Sequence, residues 1–288
     1  MRFSYAEAMC DPDHYSPLAV AVEQSGYSSF TIPDSIAYPE VSDSQYPYTP
    51  DGNREFLDGR PFIDPFVLAA SLAAVTKTLR FTTFVVKLPI RQPVLLAKQA
   101  MSLAVMTKNR FGFGIGLSPW PEDFRICEQA WQGRGQRMEE MIEILRGLET
   151  GEFFGYTGEF FQLERIKMSP APTARIPILL GGHADVALRR AARIGDGWMH
   201  AGGDAQQLDV LIERINQLRK EYGRDHLPFE FHVISLDGFS ADGVKRLEDQ
   251  GVTDVIVGFR DLYAPDTMKL DQKIAAAEKF ANSVIQKL

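Results

Sequence analysis

The 288-residue sequence contains two cysteines, Cys10 and Cys127, too few for a disulfide framework, and neither sits in a Cys-x-x-Cys pair. That scarcity fits a reducing cytoplasm better than a disulfide-rich secreted scaffold. Long apolar runs are also missing. No stretch approaches the roughly 18 consecutive apolar residues of a membrane span, and the opening MRFSYAEAMCDPDHY has no signal-peptide core. A cytoplasmic location is therefore expected. Basic residues are outnumbered 31 to 38 by acidic ones, giving a formal net charge of −7, and no basic run is present. Nucleic acid, whose phosphate backbone demands clustered positive charge, is a poor partner. The five histidines are scattered with no HExxH or His-x-His, so no metal set is expected. A GxSxG elbow and a Walker loop are lacking too, which makes a cofactor-free hydrolase the weakest of the readings considered.

What is present is regular alternation. Short apolar runs at 2–5, 28–32, 80–86, 110–115, 176–180, 197–200, 229–236 and 253–259 are rich in β-branched and aromatic residues. They lack clean polar/apolar alternation, as strands buried on both faces do. Amphipathic helical patterns lie between them at 15–25, 64–76, 93–108, 137–148, 184–194, 204–222, 241–250 and 267–287. Five of these reach a glycine: Gly26, Gly151, Gly195, Gly223 and Gly251. Glycine tolerates the left-handed position that closes a helix. Eight strand–helix units imply parallel pairing with right-handed crossovers. With no mid-chain break, they predict a single (β/α)8 TIM barrel over 1–288 rather than a doubly wound open sheet.

Two connections are too long for plain loops. Residues 33–63 follow the second strand, and the 34–62 loop is expected to form a mobile lid over the functional face. Residues 152–175 form an insertion before the fifth strand, and the Phe/Tyr pairs around glycine predict a small hairpin.

In such a barrel the candidate site residues stand at strand carboxyl ends. They are Glu7, Asp34, Ser35, Lys87, Ser118, Trp120, Gly181, Gly182, His183, His200, Gly202 and Gly203. The sequence ILLGGHADVALRRAA reads as strand, two glycines, helix. It is either a tight turn or a place where backbone and helix amides meet an anion. Asp34 reads as a turn-forming aspartate or as a general acid/base and ring anchor. His200 is either structural or a ligand contact, and His183, Lys87 and Arg91 are possible phosphate donors. The glycines of FGFGIG lie inside the fourth strand and open no helix, so they signal close packing rather than a dinucleotide fingerprint.

Three blocks resemble the luciferase-like monooxygenase superfamily across nearly the whole chain: AVEQSGYSSFTIPDS, the 76–124 segment from TKTLRFTTFVVKLPI to GLSPWPEDF, and PILLGGHADVALRRAARIGDGWM. YPYTPDG followed by DPFVLAASLAAVTKTLR is most similar to the branch that uses the deazaflavin coenzyme F420; FMN-using luciferases and sulfonate monooxygenases look more distant. The resemblance implies an oxidoreductase with the cofactor across the carboxyl-terminal mouth. It implies a non-prolyl cis peptide at Thr83–Phe84 behind the ring, and Ser118 in contact with the cofactor. Phosphates would lie near Gly181 and Gly182, Met199, His200, Ala201 and Gly202 would line the sixth strand's end, and Asp34 would anchor the ring. It implies a homodimer through the second and third helices and a small-molecule substrate. Where many members carry Asp-His, this chain has Asp34–Ser35, so a proton donor would have to come from His200, Glu7 or the lid tyrosines Tyr46 and Tyr48. F420-dependent hydride transfer is the leading expectation. FMN-dependent monooxygenation is the alternative, and a non-catalytic flavin-binding protein is the alternative of another class. Tyr38, Tyr46, Tyr48 and Trp120 suggest an apolar or aromatic substrate.

Overall fold

A computed structural model describes residues 1–42, 44–46, 49 and 51–288. The chain begins with β1 (Arg2–Ala6), α1 (Tyr15–Gln24), β2 (Ser29–Ile32), α2 (Pro65–Val75), β3 (Arg80–Thr83), β4 (Val86–Lys87), α3 (Pro93–Met106) and β5 (Phe111–Gly116). It continues through α4 (Pro121–Ile126), α5 (Arg134–Leu148), β6 (Phe154–Thr157), β7 (Gln162–Ile166), β8 (Ile178–Gly181) and α6 (Asp185–Ile194). It ends with β9 (Gly197–Met199), α7 (Ala205–Glu221), β10 (Glu230–Val233), α8 (Ala241–Asp249), β11 (Asp254–Val257) and α9 (Leu270–Ser283). The nine-stranded sheet runs β3-β2-β1-β11-β10-β9-β8-β5-β4, and a β3–β5 pairing closes it. Every pairing within it is parallel, and β3 and β4 together make one barrel position. The expected (β/α)8 barrel is the observed one. Among the described residues, no helix is long and apolar enough to cross a membrane.

The insertion before the fifth barrel strand is the expected antiparallel hairpin, β6 with β7. Two expectations need correction. The third predicted strand is not continuous, because a bulge divides it. Of the five helix-ending glycines, Gly26, Gly151, Gly223 and Gly251 have positive φ, but Gly195 is extended at φ −80°. Gly195 is needed for closeness instead: a Cβ there would stand 2.7 Å from both the Ala191 carbonyl oxygen and Leu180.

Helices coat the barrel with one continuous apolar layer, anchored by Phe30, Phe81, Phe111, Phe113 and Trp198. The amino-terminal end of the barrel is closed by charge. Arg2 reaches Glu230 (2.8 Å) and Asp254 (2.5 Å), Arg80 reaches Glu230 (3.3 Å), and His232 lies 2.7 Å from Glu230. Glu230, His232 and Asp254 converge as a metal set would, but two guanidinium groups already neutralise the carboxylates, so the cluster is an ionic plug. Burial would raise the Glu230 carboxyl, but the His232 hydrogen bond, then Arg80 and Arg2, outweigh it and hold it down at about 2. The opposite, carboxyl-terminal end carries the site.

Candidate functional site

The mouth is shaped by the bulge at the third barrel position. Thr82 stands opposite Gly112, but Val86 stands opposite Ile115, so the register slips by one residue. The extra residue pushes the Thr83 carbonyl into the barrel, where only a glycine leaves room. A Cβ at Gly114 would sit 1.8 Å from that oxygen. This is the packing role expected for the FGFGIG glycines. The non-prolyl cis peptide lies at Phe84–Val85, one residue beyond the Thr83–Phe84 bond that the family resemblance implied. Thr83 is still held in the sheet: it pairs with Ile32, and its hydroxyl donates to the Gly114 carbonyl at 2.7 Å. The Phe84 amide donates to the Ile32 carbonyl at 2.7 Å, so the chain departs only afterwards.

Beyond the bulge, Phe84 and Val85 pack with Ala6 and Ile234 on Leu179, Met199 and Ile256, forming an apolar floor at the mouth. Val85 also touches the fifth barrel strand, because a Cβ at Gly181 would meet its methyl at 3.3 Å. The bulge and the Gly181–Gly182 turn thus share one face of one opening.

The polar residues expected at the strand ends divide into two groups. Asp34, Lys87, Ser118 and Arg91 are ties. The Asp34 carboxylate, 1% exposed, accepts from the Lys87 amide and from the Arg91 guanidinium, each at 2.9 Å. The Lys87 ammonium pairs with Asp123 at 2.7 Å; the Ser118 hydroxyl donates to Asp123 at 2.5 Å and accepts from the Trp120 amide. Asp34 and Ser118 therefore join the loops after β2, β4 and β5, and both Asp34 oxygens are engaged. Glu7 is also committed. It is buried against Arg260 (2.8 Å) and Lys273 (3.1 Å), with Asp266 2.5 Å from the same lysine.

The second group continues the wall from Gly181 onward. Gly182 has φ +121°, and its carbonyl accepts from the Trp198 indole at 2.9 Å. The next strand end brings Ala201, Gly202 (φ +99°) and Gly203 (φ +141°) beside it. The Ala201 amide donates to His183 Nε2 at 3.1 Å, joining the two glycine loops. Helix α6 starts directly after them with Ala184 at its cap, so no side chain caps its first amides. His200 is fully buried and stacks on His183, with ring centroids 4.8 Å apart and planes 17° from parallel. Burial, then the neighbouring His183, pushes the His200 imidazole down to about 4; burial lowers His183 as well.

The loop after β2 is docked across the mouth. The Tyr46 ring stacks on Trp120 (5.3 Å) and meets Tyr263 edge-on (6.1 Å), with Phe56 against both Tyr46 and Tyr263. Trp120 follows the fourth barrel strand and Tyr263 the eighth, which are diametrically opposed, so this cluster bridges the opening. Arg54 lies over Trp120 at 4.2 Å. Glu122 anchors the loop by accepting from Ser42 (2.8 Å) and Ser44 (2.6 Å), with Arg54 3.7 Å away. Burial would raise the Glu122 carboxyl, but the Ser44 and Ser42 hydroxyls and Arg54 outweigh it and hold it at about 2. Tyr48, expected in the same lid, lies outside the described residues. Because the carboxyl is held low, its docking contribution is complete above the ordinary glutamate range and fades as pH falls toward 2. Glu122→Gln is expected to speed amide exchange in residues 44–46 and 51–56 about tenfold at neutral pH, since bonds to a charged group are worth about 1.5–3 kcal/mol. Exchange mass spectrometry on both proteins checks this, and equal rates would refute the anchor. Sequence reasoning missed Arg54, Asp123 and Glu122. The acid pair after Trp120–Pro121 was a usable signal; Arg54 gave none, because it sits in an aperiodic loop.

Comparison with known proteins agrees with this geometry. Residues 4–251 match the family model described as luciferase-like monooxygenase. An uncharacterized protein of Mycobacterium tuberculosis is 63% identical over a 290-position alignment spanning 100% of both chains. The F420-dependent glucose-6-phosphate dehydrogenase of Gordonia bronchialis is 27% identical over 234 positions, 78% of this chain and 64% of its own length. Among solved structures, the monooxygenase RslO1 from Streptomyces bottropensis superposes with a TM-score of 0.79 at 16% identity, covering 100% of this chain and 99% of the other.

Proposed function

Since this chain belongs to the luciferase-like monooxygenase family and is an oxidoreductase of that kind, we propose that it uses coenzyme F420 to move hydride to or from a small organic substrate. When bound, the deazaflavin supplies a carbon that gives or takes hydride, a chemistry the protein side chains lack. The observation that carries the reading is the composite mouth. The apolar floor of Phe84, Val85, Met199 and Ile234 fits a flat ring system, and the glycine loops at 181–182 and 201–203 fit its anionic tail.

In this reading Asp34 is a positioning residue. By fixing Arg91 and the Lys87 amide it holds the loop behind the bulge, and Ser118 does the same through Asp123. Glu7, locked between two cations, is a structural group, not a proton donor. The docked aromatics Tyr46, Trp120 and Tyr263 exclude water and give an apolar substrate a surface to pack on. The sequence relation to an F420-dependent dehydrogenase supports the F420 reading, as the 29% identity to a pyrimidine monooxygenase supports the alternative.

Titration of the purified protein with F420 and with FMN, each followed by cofactor absorbance and fluorescence, tests the choice. F420 is expected to bind at least about tenfold more tightly, a difference of about 1.4 kcal/mol. Tighter FMN binding would replace the proposal with flavin-dependent monooxygenation.

A further inference from the structure

The stacked histidines of the glycine-loop wall have a feature that packing does not require. The His200 Nδ1 atom lies 3.2 Å from the Ile234 carbonyl oxygen, which only accepts, so the ring proton sits on Nδ1. His200 Nε2 is then a bare lone pair, fully buried and without a partner. A buried acceptor left unpaired is rare and asks for an explanation. His183 is fixed in the complementary way: its Nε2 accepts from the Ala201 amide, so its proton is on Nδ1. The unused His200 Nε2 faces the second glycine loop, 3.6 Å from where a Cβ of Gly203 would stand. A Cβ at Gly202 would meet nothing within 4 Å, so that loop has room to admit a ligand atom. The cap-free start of α6 lies across the same seam.

We propose that the His200–His183 pair makes anion binding at the glycine loops proton-linked: a phosphoryl or sulfuryl group binds there together with one proton, taken up at His200 Nε2. This rests on the reading of these loops as the seat of an anionic ligand group, but not on the identity of the ring attached to it. The proton completes an N–H···O bond between imidazolium and the bound oxygen, and the Nδ1–H bond to Ile234 is kept. No bond other than N–H is made. The titratable group facing His200 is His183; Asp204 caps α7 through the Gln207 amide, and Asp185 is paired with Arg189 and Arg214. No carboxylate among these competes for the proton.

The sign follows from the free state. The buried imidazole, held near 4, is neutral above about pH 5. Binding raises its pKa, so affinity is strongest at low pH and is lost as pH rises toward the bound-state value. The probe is inorganic sulfate, which stays dianionic across this range. It is titrated at pH 5.5, 6.5 and 7.5 at ionic strength held constant with chloride, reading the amide shifts of Gly182 and Gly202 and the imidazole 15N shifts. Affinity is expected to weaken about tenfold per pH unit, as uptake of one proton requires, and saturating sulfate should convert His200 to the imidazolium. His200→Gln should bind weakly with no pH dependence. The proposal is overturned if affinity in the natural protein is independent of pH, if His200 stays neutral at saturation, or if sulfate leaves both glycines unperturbed. The imidazole spectra decide the matter even if His200→Gln does not fold. Failure to bind F420 or FMN would sink the cofactor assignment while leaving this result standing.

Discussion

Gly114→Ala is expected to cost about 3 kcal/mol or more and to lower the thermal midpoint by roughly 6–12 °C, with loss of cofactor binding. The new methyl would stand 1.8 Å from the Thr83 carbonyl oxygen and 2.5 Å from Met199 Sδ. A methionine can swing away, but the carbonyl cannot. Thr83 is paired with Ile32 on one side, and its hydroxyl is bonded to the Gly114 carbonyl on the other. Relief therefore means undoing the bulge, and with it the placement of Phe84 and Val85. Gly116→Ala is the control. There the added atom meets a Val85 methyl at 2.9 Å, the end of a side chain that can shift, so a loss of about 1 kcal/mol is expected. Differential scanning calorimetry of the three proteins separates the cases. A Gly114→Ala midpoint within a degree of the natural one would show that the bulge is not held by this contact.

Glu7→Gln should destabilise the fold by about 3–5 kcal/mol, the usual consequence of removing one member of a buried ion cluster. Glutamine keeps the shape but not the charge. Arg260 and the fully buried Lys273 would then share Asp266 as their remaining anionic partner. Urea unfolding monitored by far-UV dichroism reads the shift in midpoint. Asp185→Asn is the contrast, because its partners Arg189 and Arg214 lie at the surface; water screens such pairs, and the midpoint should barely move. Equal effects from the two substitutions would mean that Glu7 is solvated rather than buried among cations. Burial alone would raise the Asp266 carboxyl, yet Lys273 holds it below the ordinary aspartate range. The cluster's contribution is therefore complete above that range and is lost as pH falls.

Neither substitution touches the amino-terminal end of the barrel: Gly114 lies within β5 and Glu7 just past the carboxyl end of β1. The amino-terminal end of the barrel is closed by Arg2, Arg80, Glu230 and Asp254, whose charges are mutually satisfied. The carboxyl-terminal mouth is built differently. Its floor is apolar and its loops are rich in positive-φ glycine. A barrel end that serves only stability has no need of such features, and the asymmetry itself marks the functional face.

By itself, the sequence determined the architecture, because architecture depends on pattern. Eight apolar runs of strand length alternating with amphipathic stretches admit few arrangements besides a closed parallel barrel. The glycine turn after the fifth strand, the hairpin insertion and the family relation were local strings and could be read directly. The tertiary structure alone decided which polar residues are free. Asp34 stands at a strand end as a ligand contact would, but its tie to Arg91 spans 57 residues, and no spacing rule joins the two; the Ser118–Asp123 tie is local, five residues apart. The non-prolyl cis peptide likewise lies at Phe84–Val85, one residue beyond the Thr83–Phe84 bond that the resemblance implied. The vacancy at His200 Nε2 is of the same kind. It exists only because burial, the Ile234 carbonyl and the His183 ring meet at one point, and hydrogen-bond satisfaction is a property of the folded neighbourhood, not of the residue type.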